Sequence, residues 1–335
     1  MIARALGAFL LGTIAIAAIG APYVAPYSPA AQFRDHLLAP PMPIHLRDAN
    51  GHWRTPFIYP IRVVDRLERR FEEDRAHPVA LTLFTNGRLI GPQTEQYGPW
   101  LPLGADRLGR DLFSRLVYGA RLSLGVAVLA VLGALLLGTF AGAIAGYAGG
   151  WIDHVLMRAS ELVIVMPALY VVLAFRSMLS PSLPTAVIFF VTTSLLAVIG
   201  SPIVARGVRT IVTTEDTRDY ATAARALGAS PWRLLGRHLL PATASFLRVQ
   251  ALLLLPAAML AETTLSYAGL GFDADRPSWG TLLQEAADIR AMADYPWLLS
   301  AAAAIVLVVL GLNLVLESQR RPRGALDTLL YRLTE

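Results

Sequence analysis

Six apolar runs, separated by polar connections, organise the chain. They cover Ala5 to Ala21, Leu122 to Tyr147, Val155 to Leu179, Thr185 to Ala205, Ala242 to Ala268 and Pro296 to Leu316. A bilayer core takes about 20 helical residues, so each run is long enough to be read as a membrane span, the first being near the short limit. That first run, behind Arg4, has the small residues of a cleavable signal peptide at its end. A retained helix is expected instead, because the remaining spans call for an even count. Pro167 and Pro256 fall inside runs and predict kinks. The pattern predicts an all-α polytopic membrane protein with six transmembrane helices. Residues 1–22 form the first, 121–318 a core with the other five, and 319–335 a tail.

The longest polar stretch, 23–120, predicts a small α+β subdomain inserted between helices 1 and 2. Ile44 to Phe57 carries Asp48-Ala49-Asn50-Gly51, and Val79 to Ile90 carries Asn86-Gly87, a favoured hairpin turn. Each is expected to form a β-hairpin, and the charged Val63 to Arg75 between them a helix. Folded at this length, the insertion is expected to touch an extracytoplasmic partner or to cap the outer mouth of a pathway. It ends in Leu103 to Leu124, where Asp106, Arg107, Arg110, Asp111 and Arg115 predict an interfacial amphipathic helix with paired charges.

A second polar stretch, Glu215 to Pro241, interrupts the apolar runs. Asp216 to Leu227 is charged on one side and alanine-rich on the other, a helix-forming pattern of little bulk. Gly228 can end that helix in the left-handed conformation. Ser230-Pro231 supplies an N-cap and a first-position proline for another, and Pro241 is expected to close it. The prediction is a helix–turn–helix elbow. Arg218, Arg225, Arg233 and Arg237 place it on the cytoplasmic side, as Arg4, Arg206, Arg209, Arg320, Arg321 and Arg323 place the neighbouring ends. Both termini are then cytoplasmic. The long insertion lies outside, its length exempting it from that charge tendency.

Composition narrows the function. Hydrophobic residues make up 55% of the chain and charged ones 16%, which excludes a soluble globule. All 29 basic residues are arginine, so the chain lacks the lysine of a P-loop and that of a Schiff-base enzyme. With no cysteine there is no disulfide or thiolate chemistry. The six histidines (His36, His45, His52, His77, His154 and His238) form no HExxH helix and none lies mid-span. No catalytic, metal or cofactor site is therefore expected, and the high pI reflects arginines in loops rather than nucleic-acid binding.

Glu161, Arg176, Arg248 and Glu262 lie within or at the ends of spans. Pairing or snorkelling accounts for such charges, with lining of a translocation path as the alternative, best placed at Glu262. Ala134, Gly138, Gly142 and Gly146 recur every four residues and predict close helix packing rather than a ligand site.

The elbow resembles the signature loop of ABC importer permeases. That pattern reads Glu-Ala-Ala, three residues, Gly, nine residues, Ile, one residue, Leu-Pro. Ala223, Ala224, Gly228, Leu240 and Pro241 stand at its positions, with Thr222 in place of Glu and His238 in place of Ile. The run DYATAARALGAS…RHLLP, the stretch LGADRLGRDLFSRLVYGARLSL, the turn after Tyr147 through Arg158, and TTLSYAGLGF…PSWG are similar to the dipeptide, oligopeptide and nickel branch. The resemblance covers roughly Leu103 to Leu316 in the expected order.

It implies a type I ABC importer permease fold in a bacterial or archaeal inner membrane, with hydrolysis carried out by other polypeptides. The implied partners are two cytosolic ATPases, a second similar permease and an extracytoplasmic solute-binding protein. Peptides, nickel complexes or oligosaccharides are the implied cargo. Asp219, Tyr220, Ala223, Ala224, Arg225, Gly228, Ala229, Ser230, Arg237, Leu240 and Pro241 are the implied ATPase-coupling residues. Ala223 and Ala224 would make the close contact. A self-contained secondary transporter, or a membrane sensor with an outer receptor domain, is the alternative from another class. It should show internal repeats and mid-span charges, or a cytosolic output domain.

Overall fold

A computed structural model describes residues 2–48, 52–66, 68–85, 87–94, 96–178, 183–273, 275–287 and 293–320. The predicted turns at Asn86 and at 49–51, the outer turn at Pro181, and Arg321 and Arg323 lie outside these residues. Helix α1 (Ile2–Ile19) is followed by a short α2 (Ala21–Val24). The apolar runs then give α3 (Leu112–Ala148), α4 (Gly150–Val165), α5 (Ala168–Ser177) and α6 (Thr185–Asp216). Helix α10 (Ala244–Leu265) continues into a π-turn, Ser266–Leu270. Helix α12 (Ser300–Arg320) follows a 3₁₀ turn, Pro296–Leu299.

Among the described residues, four of these helices are long and apolar enough to cross a membrane: Leu112–Ala148, Thr185–Asp216, Ala244–Leu270 and Pro296–Glu317. The pair α4 and α5 passes the same test together, bent by 82° at Met166-Pro167. Proline cannot donate the helix bond there and crowds the preceding turn, so the expected kink becomes a break.

The tightest packing joins α3 to α6. Side chains added at Gly138, Gly142 and Gly146 would meet the carbonyls of Ser201, Ala205 and Arg209, one per turn of α6. Small residues every four positions let two backbones approach where no hydrophobic force separates helix from lipid. Gly142→Ala should therefore cost about 1–2 kcal/mol, within the usual range for an overfilled core. Its melting temperature in detergent should fall, whereas Gly12→Ala, whose new methyl meets nothing within 4 Å, should not lower it. Helix α1 packs along α12, with Gly7 against Gly311 and Leu314. Ala18 joins Leu298, Ala301 and Ile305 in one cluster, so the two helices run antiparallel.

The insertion folds as strands β1 (His45–Arg47), β2 (Trp53–Ile58), β3 (Ile61–Asp65), β4 (Arg70–Glu73), β5 (Val79–Thr85) and β6 (Arg88–Pro92). One antiparallel sheet has the order β1-β2-β5-β6, and β3 pairs with β4. The hairpins expected at Ile44 to Phe57 and Val79 to Ile90 both form.

The helix expected over Val63 to Arg75 does not form. Those residues make the β3–β4 hairpin, with Val63 opposite Phe71 and Arg62 opposite Glu72. Pairing places Ile61 and Phe71 against a core of Ile58, Val79, Leu81, Trp100 and Leu101. A lone charged helix could not bury them, so cross-strand packing overrides local propensity. The expected interfacial helix is also replaced. Residues 103–111 are turns and bridges, and α3 begins at Leu112 and runs without a break into the apolar span.

Candidate functional site: the elbow and the ion cluster

At the elbow, α7 (Asp219–Ala226) ends as the sequence predicts. Gly228 has φ +81°. Ala229 N donates to Ala224 O at 3.0 Å, and Gly228 N to Arg225 O at 2.9 Å. These two bonds make a Schellman cap, which satisfies carbonyls left over at the helix end. Ser230 then caps α8 (Pro231–Leu234) by accepting from Arg233 N, with Pro231 in the first position.

Pro241 does not close this second helix. A π-turn, Leu235–Leu239, leads into α9 (Leu240–Ala242), where Pro241 is an inner residue, and the break falls at Thr243. The wider turn leaves room for a ring that lacks an N–H and would crowd an α-turn.

The elbow is clamped at its base. Arg225 pairs with Asp216, Arg218 Nε lies 3.1 Å from Glu215 Oε2, and the Tyr220 hydroxyl donates to Glu215 at 2.7 Å. Desolvation first, and then the Glu215 bond, pushes the Tyr220 phenol above its ordinary pKa. Behind the elbow, Ala221, Leu234 and Leu239 are buried against Val204, Val208 and Val212 of α6.

Ala224 packs on that same cluster, so it faces the elbow's own seat, whereas Ala223 is exposed. The pair therefore does not present one common contact surface. Two residues overlooked in the sequence dominate the free face: Leu227, 89% exposed, and Trp232, 74% exposed. The available signal was a large apolar residue on each side of Gly228 in an otherwise polar loop. Arg237 is exposed, and Leu240 is half-buried at the seat.

On the opposite side of the apolar layer, a cluster joins residues far apart in sequence. Asp106 Oδ1 accepts from Leu108 N at 2.8 Å and Arg110 N at 2.9 Å. Its Oδ2 accepts from Arg110 Nε at 2.7 Å and pairs with Arg115. Both arginines also bind Glu285, Arg110 at 3.0 Å and Arg115 at 2.5 Å. Asp106, Arg110 and Arg115 are buried. Two acids and two arginines compensate one another in a low-dielectric setting, through charge-assisted bonds.

Gly109, at φ +72°, makes the turn feasible, since a Cβ there would collide with the Phe33 carbonyl. Asp111 caps α3 by accepting from Ser114 N at 2.8 Å. Burial pushes its carboxyl up to about 7, with the Ser114 bonds pulling the other way. Of the charges expected at an interface, Asp106, Arg110, Asp111 and Arg115 are thus interior while Arg107 is exposed, and Glu285 was not foreseen as their partner.

Glu285 comes from α11 (Trp279–Ala286), which opens with a capping box of Ser278 and Thr281. Trp279 Nε1 donates to Leu116 O at 3.0 Å, and Trp279 N to Ser123 Oγ at 3.1 Å. A side chain at Gly280 would meet Thr263 O of α10 at 2.5 Å. The loop helix is therefore locked between α3 and α10.

The four ionisable residues near the apolar layer separate. Glu161 is half-exposed, with Arg158 at 2.9 Å and Arg206 at 3.4 Å. These three, with Asp153, His154 and Arg209, line a polar cavity of about 780 Å³ between α4 and α6. Arg248 stays on its own helix, donating to Ala244 O and Ser245 Oγ. Arg176 is buried and donates to Gly271 O at 3.2 Å, tying α5 to the loop after α10. Glu262 is 1% exposed and accepts from Ser266 Oγ at 2.7 Å, with the Ser123 and Ser278 hydroxyls beside it. It sits in the joint under α11. A separate apolar cavity of about 400 Å³ lies at the break between α4 and α5, walled by α3, α6 and α10.

A family model described as "Binding-protein-dependent transport system inner membrane component" matches residues 118–321. The chain is 37% identical over 236 residues to a dipeptide transport system permease protein DppC of Alkalihalophilus pseudofirmus, covering 70% of this chain and 73% of the relative. It is 33% identical over 315 residues to a di/tripeptide transport system permease protein DppC of Pseudomonas aeruginosa, covering 94% and 85%. Over 220 residues it is 33% identical to a glutathione transport system permease protein GsiD of Pectobacterium atrosepticum, covering 65% and 70%.

Proposed function

The chain belongs to the family of binding-protein-dependent transport system inner membrane components, and from that membership we propose how its geometry works. It is a permease component of an ABC importer of the peptide family. Short peptides are its cargo, in keeping with the names of its relatives. It crosses the membrane six times: α1, α3, the bent pair α4–α5, α6, α10 with its π-turn, and α12. The packing of α1 along α12 supports counting α1 as a span.

The observation that carries the mechanism is the elbow. It is a capped turn with Leu227 and Trp232 projecting and an apolar seat on α6 behind it. A cytosolic ATPase takes hold of the projecting face. Asp219, Tyr220, Arg225, Ala229, Ser230, Arg237 and Pro241 shape and flank it. Movement of two ATPases then passes through the seat into α6, and through the glycine contact into α3. The spans rock between two rigid-body states.

A second, similar permease faces the cavity at the α4–α5 break, and a solute-binding protein delivers cargo outside. The cavity around Glu161, with charges of both signs, forms the cytoplasmic mouth and suits zwitterionic peptides. Glu262 serves the joint with α11 rather than the path.

Single cysteines at Arg75 and at Ser230, in this cysteine-free chain, test the topology. Each should react with an impermeant thiol reagent from one side only, and the two sides should be opposite. Modification of both from one side removes the six-span arrangement. Reconstitution with both ATPases, a partner permease and a binding protein should give ATP-dependent dipeptide uptake. Uptake without ATP would favour a secondary transporter.

A further inference from the structure

The four-stranded sheet of the insertion is buried at one end and bare at the other. In β2, Phe57 and Ile58 are buried while Trp53 through Pro56 are exposed. In β5 and β6 the buried residues are Val79, Leu81, Gly91 and Pro92, at the same end. The strands are antiparallel, with Phe57 opposite Ala80 and Leu81 opposite Pro92. The starts of β2 and β6 and the end of β5 therefore share the bare end.

That end carries Leu46, Trp53, Leu83, Phe84, Leu89 and Ile90, all exposed, Leu83 at 69% and Phe84 at 78%. Arg47 stacks on Trp53 at 4.4 Å. A soluble tip would be polar, since unpaired apolar hairpin ends invite aggregation.

We infer that this tip is a lipid anchor, dipping into the outer leaflet beside the first helix. Two observations choose lipid over a protein. The first is position. The Arg88 guanidinium lies over the Tyr27 ring at 5.2 Å, and β6 runs beside α2, just past the end of α1. Ile16 and Ile19 near the end of α1 and Tyr23 of α2 are exposed apolar residues, so the sheet stands beside the point where the proposed first span ends.

The second observation is that both faces of the hairpin are bare. Neighbouring residues of an extended strand point to opposite faces, so Leu89 and Ile90 of β6 diverge. Phe84, at φ +55°, breaks that alternation in β5. A docked protein covers one face of a ribbon, whereas immersion covers both. Arg47 and Arg88 suit the phosphates of the headgroup layer, and Trp53 suits the interface. The occupant is a phospholipid surface, and the depth is that of interfacial segments, roughly 5–10 Å below the headgroup boundary.

The inference rests on the membrane placement of α1 proposed above, and one experiment separates the two. The full chain carries a single cysteine bearing an environment-sensitive fluorophore, in vesicles of phosphatidylcholine brominated at shallow acyl positions. Leu89→Cys and Ile90→Cys should both lose most of their fluorescence to the bromines, as should Ile16→Cys on α1. Arg75→Cys, in the exposed β3–β4 region, should lose none.

Quenching at residue 16 without quenching at 89 and 90 overturns the anchor and leaves the span in place. Quenching at only one of residues 89 and 90 overturns immersion in favour of one-sided docking. Shielding of residue 90 from aqueous iodide only after a solute-binding protein is added overturns it in favour of a protein partner. No quenching at residue 16 overturns both readings.

Discussion

Glu285→Ala should destabilise the end of the protein around α11 more than any exposed substitution in the same loop. It leaves Arg110 and Arg115 without one of their two carboxylates while the neighbouring core stays closed. Breaking one partner from a buried ion pair costs about 3–5 kcal/mol, and the lower end applies because Glu285 keeps some contact with water. The loss should appear as a lower melting temperature in detergent and as early protease cleavage near α11. Glu285→Gln should fall between, since it keeps the shape and part of the hydrogen bonding. Asp273→Ala, on an exposed neighbour, should stay within about 0.5 kcal/mol of the parent. Equal melting of Glu285→Ala and Asp273→Ala would show that α11 is held by Trp279 and Gly280 alone.

Trp232→Ala and Leu227→Asp should separate folding from coupling. Both side chains are almost free of the rest of the chain, so the monomer should fold and insert normally. A central aromatic or apolar anchor in an interface is worth about 2 kcal/mol or more on truncation. That corresponds to roughly 30-fold weaker ATPase binding. Gly228→Val tests the same contact through geometry. No neighbour blocks its side chain, but φ +81° strains a β-branched residue by about 1–2 kcal/mol. The strain should twist α8 away from α7 and misplace Trp232. Copurification of the ATPases and ATP-driven uptake are the measurements. Variants that bind and transport like the parent would make the elbow a plain connection. Ala224→Glu, by contrast, should also unseat the elbow, because Ala224 packs inward.

The sequence by itself determined the features that depend on local chemistry. The apolar runs are legible because lipid forces each span to satisfy its own backbone. Gly228, Ser230 and Pro231 act within a turn, so the cap and restart they spell are the ones that form. The Gly138, Gly142 and Gly146 row likewise names a packing face without naming its partner. Tertiary structure decided what depends on residues far along the chain. Val63 to Arg75 is a hairpin because Phe71 finds a core made by Leu81 and Leu101. Asp106, Arg110 and Arg115 are interior because α11 brings Glu285 across some 170 residues of separation. Ala224 faces inward because Val204, Val208 and Val212 of α6 form the cluster it packs on. In each case burial changes the energy of a group by more than its local propensity does.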